Sequence, residues 1–181
     1  MYDADKRTIT TDRLILRPFE LSDAEEVSRL CNNYNVCKGT LSLPYPYPVE
    51  SALGWIPTHK ENFDNDIAYE FAVTDKETGT LYGCISIMNK KGQNNGEAGY
   101  WFGEEFWGRG YATEALACII EFAFNYKGFH RVYARHFESN PASGRVMEKV
   151  GMLKEGRHID HVFKADKYEN VISYGIVKED K

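Results

Sequence analysis

The chain has no run of about 18 apolar residues, so a membrane-spanning hydrophobic helix is excluded. Its first residues, Met1-Tyr2-Asp3-Ala4-Asp5-Lys6-Arg7, carry charge with no apolar stretch behind it, which argues against a secretory leader and leaves the cytoplasm as the expected location. Cysteine is scarce and unpatterned: Cys31, Cys37, Cys84 and Cys118 show no C-x-x-C spacing and no grouping with histidines. Neither a bound metal nor a disulfide framework is expected, and reduced, mostly buried thiols are the simpler reading. An excess of positive charge is also missing, since 22 Lys and Arg face 27 Asp and Glu for a net charge of -5. Phosphate backbones would be repelled overall, which disfavours nucleic acid and leaves a cationic partner easier to accommodate.

What is present is a composition of 43% hydrophobic and 14% aromatic residues over 181 positions, enough apolar surface for one substantial core. We expect a single domain spanning 1–181. Ile9 to Phe19 alternates as a strand, and Ser22 and Glu25 have capping-box spacing ahead of Ala24, Val27 and Leu30 at helical intervals. Pro44, Pro46 and Pro48 force an extended loop, after which 49–63 reads as a helix that Pro57 bends or splits. The segments 67–73 and 81–87 alternate on either side of a polar turn, and 97–102 supplies a further strand. The period then changes. Ala112, Leu116, Ile119, Ala123 and Tyr126 predict a helix of about four turns, followed by a strand over 131–137. Asn140 and Pro141 open another helix that Gly151 closes, and two strands near 156–163 and 171–177 end the pattern. This order predicts a mixed α/β domain. Its sheet is six- to seven-stranded and mostly antiparallel, becoming parallel where a helix crosses from 97–102 to 131–137, with helices on both faces.

Trp107-Gly108-Arg109-Gly110-Tyr111-Ala112-Thr113 falls between a strand and a helix start, where free backbone N–H groups can converge on an anion and the glycines admit close approach. An ordinary glycine-containing loop is the alternative. Neither a Walker loop nor a dinucleotide fingerprint is present.

The segment resembles the pyrophosphate loop of the GNAT acetyltransferases, written Gln/Arg-x-x-Gly-x-Gly/Ala, with Gly110 and Ala112 at its last two defined positions and Trp107 where Gln or Arg is usual. The wider stretch from Glu97-Ala98-Gly99-Tyr100-Trp101-Phe102 through Glu114-Ala115 is similar to the branch that includes ribosomal-protein-alanine N-acetyltransferases, where an aromatic at that place is familiar. Thr11 to Arg17 and the run Asn140-x-x-Ser143-x-x-Val146-x-Glu148-Lys149-x-Gly151-Met152 extend the likeness over almost the whole chain. The resemblance implies acetyl-CoA as co-substrate, held by the loop Trp107 to Thr113. Pantetheine would then lie in a gap between strands 97–102 and 131–137, pairing with the backbone of Trp101 and Phe102.

It also implies direct transfer of acetyl to a primary amine, which needs a neutral amine, an oxyanion donor and a proton for the departing thiolate. Glu97 is the candidate base, against the alternative of a solvated carboxylate at a strand start. Asn140 and Ser143 could face the cofactor, though both have local capping roles open to them. Many relatives place a tyrosine acid at the position of Met147, and a thioether cannot donate a proton. Ser143 or a water must then protonate the thiolate. The acceptor is expected to be a protein N-terminal α-amino group, with polyamines, amino sugars and a non-catalytic acetyl-CoA sensor as alternatives, and the protein to act as a monomer or homodimer.

Other residues are open to two readings. Tyr45, Tyr47 and Trp55 could line an acceptor pocket or anchor the proline loop, and Glu61, Asp64, Asp66 and Glu70 could attract a cation or form a solvated acidic helix end. The five histidines, with His59 on an expected surface helix, are read as structural or solvent-exposed, and Cys84 and Cys118 as packing residues.

Overall fold

The computed structural model describes residues 1–179. Strands β1 (Tyr2–Asp3), β2 (Thr8–Thr10) and β3 (Leu14–Arg17) precede helices α1 (Ala24–Cys31), α2 (Tyr34–Lys38), α3 (Val49–Trp55) and α4 (Thr58–Asp64). A hairpin-linked trio follows: β4 (Ala68–Asp75), β5 (Leu81–Lys90) and β6 (Asn95–Phe102). Then come α5 (Tyr111–Asn125), β7 (Arg131–Phe137), α6 (Pro141–Lys149), β8 (Leu153–Lys164) and β9 (Lys167–Val177). The strands form one sheet in the order β1-β2-β3-β4-β5-β6-β7-β9-β8, antiparallel except between β6 and β7.

The structure departs from the sequence expectation in several places, among them the added short helix α2. The sheet has nine strands among the described residues because the expected strand 9–19 folds back on itself, Ile9 pairing with Leu16 across β2 and β3, and because Tyr2–Asp3 adds an unexpected edge strand, β1, beside β2. Thr11 makes this turn, its N–H bonding the Leu14 carbonyl at 3.0 Å while its hydroxyl accepts the Leu14 N–H at 2.9 Å. The capping contact ahead of α1 also lies earlier than Ser22 and Glu25. Glu20 N–H donates to the Asp23 carboxylate at 2.8 Å around a short 3-10 turn, Leu21–Asp23, and Asp23 is further gripped by both terminal nitrogens of Arg17. Pro57 splits the predicted helix 49–63 into α3 and α4, as its missing N–H requires.

Strand alternation divides the core in two. Tyr69, Phe71, Val73, Ile85, Ile87 and Ala98 face α5, whose Ala115, Leu116, Ile119, Phe122 and Ala123 are buried against them. Ala72, Leu81 and Cys84 face the other way, onto Val27, Leu30 and Cys31 of α1 and Ala52 of α3. Leu116 and Ile119 have no exposed surface, so each contributes about 2 to 3 kcal/mol of burial to the first core. Residues 68, 70 and 72 of β4, 84 and 86 of β5, and 97, 99 and 101 of β6 thereby share the face covered by α1, α3 and α4. The edge strand β8 is mostly exposed, and two register shifts and its charges at Lys154, Glu155 and Arg157 blunt it against further pairing. No described helix is long and apolar enough to cross a membrane.

Candidate functional site

β6 and β7 pair only from Asn95 and Arg131 to Ala98 and Ala134. Beyond that point they part: Gly99–Phe102 remain bonded to β5 and Arg135–Phe137 to β9, but not to each other. The parting leaves a wedge in the middle of the sheet, edged on both sides by backbone groups with no strand partner.

At the wide end of the wedge stands the loop into α5. Gly108 has φ 73° and Gly110 φ 82°, the left-handed region that costs a side chain strain, and no atom lies within 4 Å of where a Cβ on Gly108 would sit. Among the described residues, no backbone N–H from Gly108 to Thr113 has a main-chain or side-chain acceptor, and α5 begins there. The dipole of a 15-residue helix adds to this concentration of donors. Trp107 does something else with its side chain: its indole N–H bonds the Phe102 carbonyl at 2.8 Å and fastens the loop to the end of β6. Arg13 holds the far side, with Nε on Glu114 at 2.7 Å, Nη1 on the Arg109 carbonyl at 3.0 Å, and its guanidinium 4.8 Å from the centre of the Tyr111 ring. Arg109 itself is exposed.

The start of α6 follows the splayed end of β7. Asn140 occupies the N-cap position, but its side chain makes no capping bond; its amide donates to the Gly39 carbonyl at 3.0 Å and to Ser143 Oγ at 3.3 Å. Ser143 Oγ thus accepts from Asn140, and its own proton stays free to be donated. The Tyr100 hydroxyl donates to the Ser143 carbonyl at 3.2 Å, and burial pushes this phenol up to about 12, so it keeps its proton at neutral pH. Met147 is 2% exposed and belongs to the α5 core. Lys164, at the end of β8, donates to the carbonyls of Cys37, Thr40 and Leu43 at 2.8, 2.5 and 3.1 Å, tying the β8–β9 hairpin to α2 and the loop after it. Burial lowers its pKa.

Glu97 is buried at the base of the wedge and is not a free carboxylate. Arg135 Nε donates to Oε1 at 2.7 Å, Lys90 Nζ lies 3.0 Å from Oε2, and the Tyr133 hydroxyl donates to Oε2 at 3.1 Å. Burial acts to raise its pKa, but the hydrogen bonds and charges of Lys90 and Arg135 outweigh it and hold the carboxyl below its ordinary range. A proton acceptor at this point would first have to leave an ion pair.

The four acidic residues named together in the sequence separate. Asp64 pairs with Arg7 and Lys60, Asp66 with Lys127 and Tyr69, and Glu61 is exposed. Glu70 alone turns inward. Its Oε1 accepts from Asn62 of α4 at 2.9 Å, while Oε2 is buried with no partner. The aromatic group also divides: Tyr47 is buried with its backbone bonded to Asn32 and Ser28, Trp55 packs on Phe19, and Tyr45 is exposed beside Tyr34. Of the two readings of His59, structural or solvent-exposed, the structure takes the first: α4 lies at the surface, but this ring is 6% exposed between Phe19 and Trp55, and burial pushes its pKa down to about 4. Cys84 is buried, consistent with packing.

A split parallel pair beside a helix N-terminus rich in unpartnered N–H groups has the donors to hold an extended ligand that carries an anionic group. Residues 13–153 match the acetyltransferase (GNAT) domain, and the chain belongs to this family of enzymes. It is an N-acetyltransferase. It is 31% identical over 173 residues, covering 95% of this chain and 98% of the relative, to the uncharacterized N-acetyltransferase YnaD of Bacillus subtilis. With the ribosomal protein uS5-alanine N-acetyltransferase of Escherichia coli it shares 28% identity, covering 87% of this chain and 84% of that one. Among solved structures, a GNAT-family acetyltransferase from Bacillus anthracis superposes with TM-score 0.83 at 25% identity, covering 94% and 98% of the two chains. The spermidine N-acetyltransferase of Vibrio cholerae, solved with CoA and spermine, has TM-score 0.79 at 20% identity over 92% and 96%, and so shares the fold.

Proposed function

We propose that this enzyme moves acetyl from acetyl-CoA to a primary amine, and that the amine is a protein N-terminal α-amino group. The observation that carries the cofactor half is the run of unpartnered N–H groups from Gly108 to Thr113 at the head of α5, beside an opened sheet. In this reading the pyrophosphate lies on the Gly108–Thr113 backbone with Arg109 adding charge. Pantetheine amides pair with backbone groups of Trp101 and Phe102, in the stretch of β6 that has no partner on the β7 side. Trp107 contributes through its bond to Phe102, which keeps that edge in place, and Tyr111 through its stacking with Arg13.

Transfer proceeds by direct attack of the neutral amine on the thioester carbon. The departing thiolate, with a pKa near the ~8.5 of a cysteine thiol, is a tolerable leaving group and takes a proton from Ser143, whose Oγ is already satisfied as an acceptor by Asn140. Glu97 acts from within its ion pair by clamping β6 to β7 just before they part. An α-amino acceptor, with a pKa of about 8 against about 10.4 for lysine, needs the least deprotonation at neutral pH. The likeness to a ribosomal-protein-alanine acetyltransferase supports this choice.

Two measurements test the proposal. Gly110→Val should weaken acetyl-CoA binding in calorimetry by about tenfold or more, because a β-branched side chain is strained at φ 82° and obstructs the anion; an unchanged affinity in a folded variant overturns the loop assignment. CoA release should then be followed with peptides bearing Ala or Ser N-termini, spermidine and an aminoglycoside. Preference for the peptides supports the acceptor proposed, preference for spermidine or the aminoglycoside replaces it with a small amine, and tight acetyl-CoA binding with no release from any of them makes the protein a sensor.

A further inference from the structure

We propose that Glu70, and not Glu97, is the carboxylate that receives the acceptor ammonium and takes its proton. The inference rests on the acetyl-transfer reading above. The register places Glu70 opposite Ser86 on β5, and Ser86 opposite Gly99 on β6, so the three form one row on the face shared with Glu97. Gly99 is the first residue of β6 past the point where it leaves β7. Two strand spacings of about 4.8 Å separate the row's ends, roughly 10 Å in all, a distance that a glutamate side chain and an amine together span. The space above the row is open at its inner end, since a Cβ on Gly99 would meet only Ser86 Oγ, at 3.6 Å.

The chemistry of Glu70 is unlike that of a structural acid. One oxygen is fixed by Asn62 and the other is buried with no partner, an arrangement a protein rarely keeps without a use for it. No cation offsets its charge among the described residues. On α4, His59 lies one turn before Asn62 and stays neutral because burial lowers its pKa to about 4. From β5 comes the Cys84 thiol, itself pushed up by burial and by Glu70, and on β3 Arg17 is committed to Asp23. Burial, only partly offset by the Asn62 bond and by the residue's own backbone N–H, raises the Glu70 pKa above its ordinary value, which makes it a better proton acceptor than the ion-paired Glu97.

The step balances without a further reactant. Glu70 takes one proton from the ammonium and later returns it to solvent. The freed nitrogen bonds to the thioester carbon, the carbon–sulfur bond breaks with its electron pair going to sulfur, and the second proton that nitrogen sheds on becoming an amide replaces the one Ser143 gives to the thiolate. The net products are the acetamide, free thiol and one proton in solution.

The test compares wild type with Glu70→Gln in the full chain, using the best acceptor from the amine panel. We expect kcat at neutral pH to fall about 100-fold, the deficit to narrow as pH approaches the acceptor's own pKa, and acetyl-CoA affinity to stay unchanged. The melting temperature should at the same time rise by about 2 to 4 °C, because a buried unpaired charge has been removed. Asn62→Ala, which keeps the carboxylate but frees it, should cost about tenfold with the same narrowing, and it decides the matter should Glu70→Gln fail to fold. Parallel pH profiles for wild type and either variant overturn the role of Glu70 while leaving acetyl transfer intact. A wild type that releases CoA with no amine overturns the acetyl-transfer reading and this proposal together.

Discussion

Glu70 and Glu97 lie on the same face of the sheet, two strands apart, and their surroundings are opposite. Glu97 is met by a lysine, an arginine and a tyrosine; Glu70 is met by no charge, only by an asparagine amide and its own backbone N–H. Burial alone would raise both pKa values, yet one is driven below the ordinary value and the other above it. The difference is the presence of paired charge, and it assigns opposite work to two identical side chains. Glu97 contributes stability where the sheet begins to open, while Glu70 costs stability beside the opening. A half-buried acid held without a counter-charge suits proton transfer; one locked in an ion pair suits a structural clamp.

The largest expected effect follows from breaking the pair. Arg135→Met leaves Glu97 buried with half its charge compensation, and we expect a loss of about 2 to 3 kcal/mol, at the low end for buried pairs because the Arg135 side chain is 30% exposed. For a chain of this size that lowers the melting temperature by roughly 5 to 10 °C, measured by calorimetry. A melt unchanged within about 1 °C would show that the clamp carries no load.

Next is Glu97→Gln, which keeps the shape and leaves Lys90 and Arg135 facing each other. A loss of about 1 to 2 kcal/mol is expected, together with a drop in activity that is the same at every pH, unlike the narrowing deficit of Glu70→Gln. If the Glu97→Gln deficit closes with rising pH and that of Glu70→Gln does not, the two roles must be exchanged.

The smallest effect sharpens the contrast through pH. Glu97 has a folded pKa below its unfolded value, so its stabilisation is complete above the unfolded pKa near 4.5 and is lost as pH falls through the folded one. Glu70 has the reverse shift. Its cost is absent below about 4.5 and grows as pH rises through its raised folded value. The melting-temperature advantage of Glu70→Gln over wild type should therefore be present at pH ~7 and vanish near pH ~4, whereas the deficit of Glu97→Gln should shrink on acidification. Melts of the three proteins across that range check both signs.

Much of this protein was legible from local pattern. The turn between β4 and β5, the four-turn amphipathic α5, the Pro57 break and the glycine loop ahead of α5 depend on residues near one another in the chain, and period, turn chemistry and capping preferences report such arrangements directly. Even there, Thr11 turned an expected strand into a hairpin, because a side-chain hydroxyl can satisfy a backbone N–H as well as a neighbouring strand can. Which carboxylate carries charge unopposed was not legible. The partners of Glu97 at Lys90, Tyr133 and Arg135, the isolation of Glu70 under α4, and the grip of Lys164 on carbonyls more than a hundred residues earlier exist only once distant strands have taken their register. The sequence by itself determined most of the elements, the placing of helices on both faces of the sheet and the family's loop. The tertiary structure decided where the sheet parts and which acid is left without a counter-charge, since a pKa is set by the charges and solvent within a few ångströms in space, and spacing along a chain does not encode them.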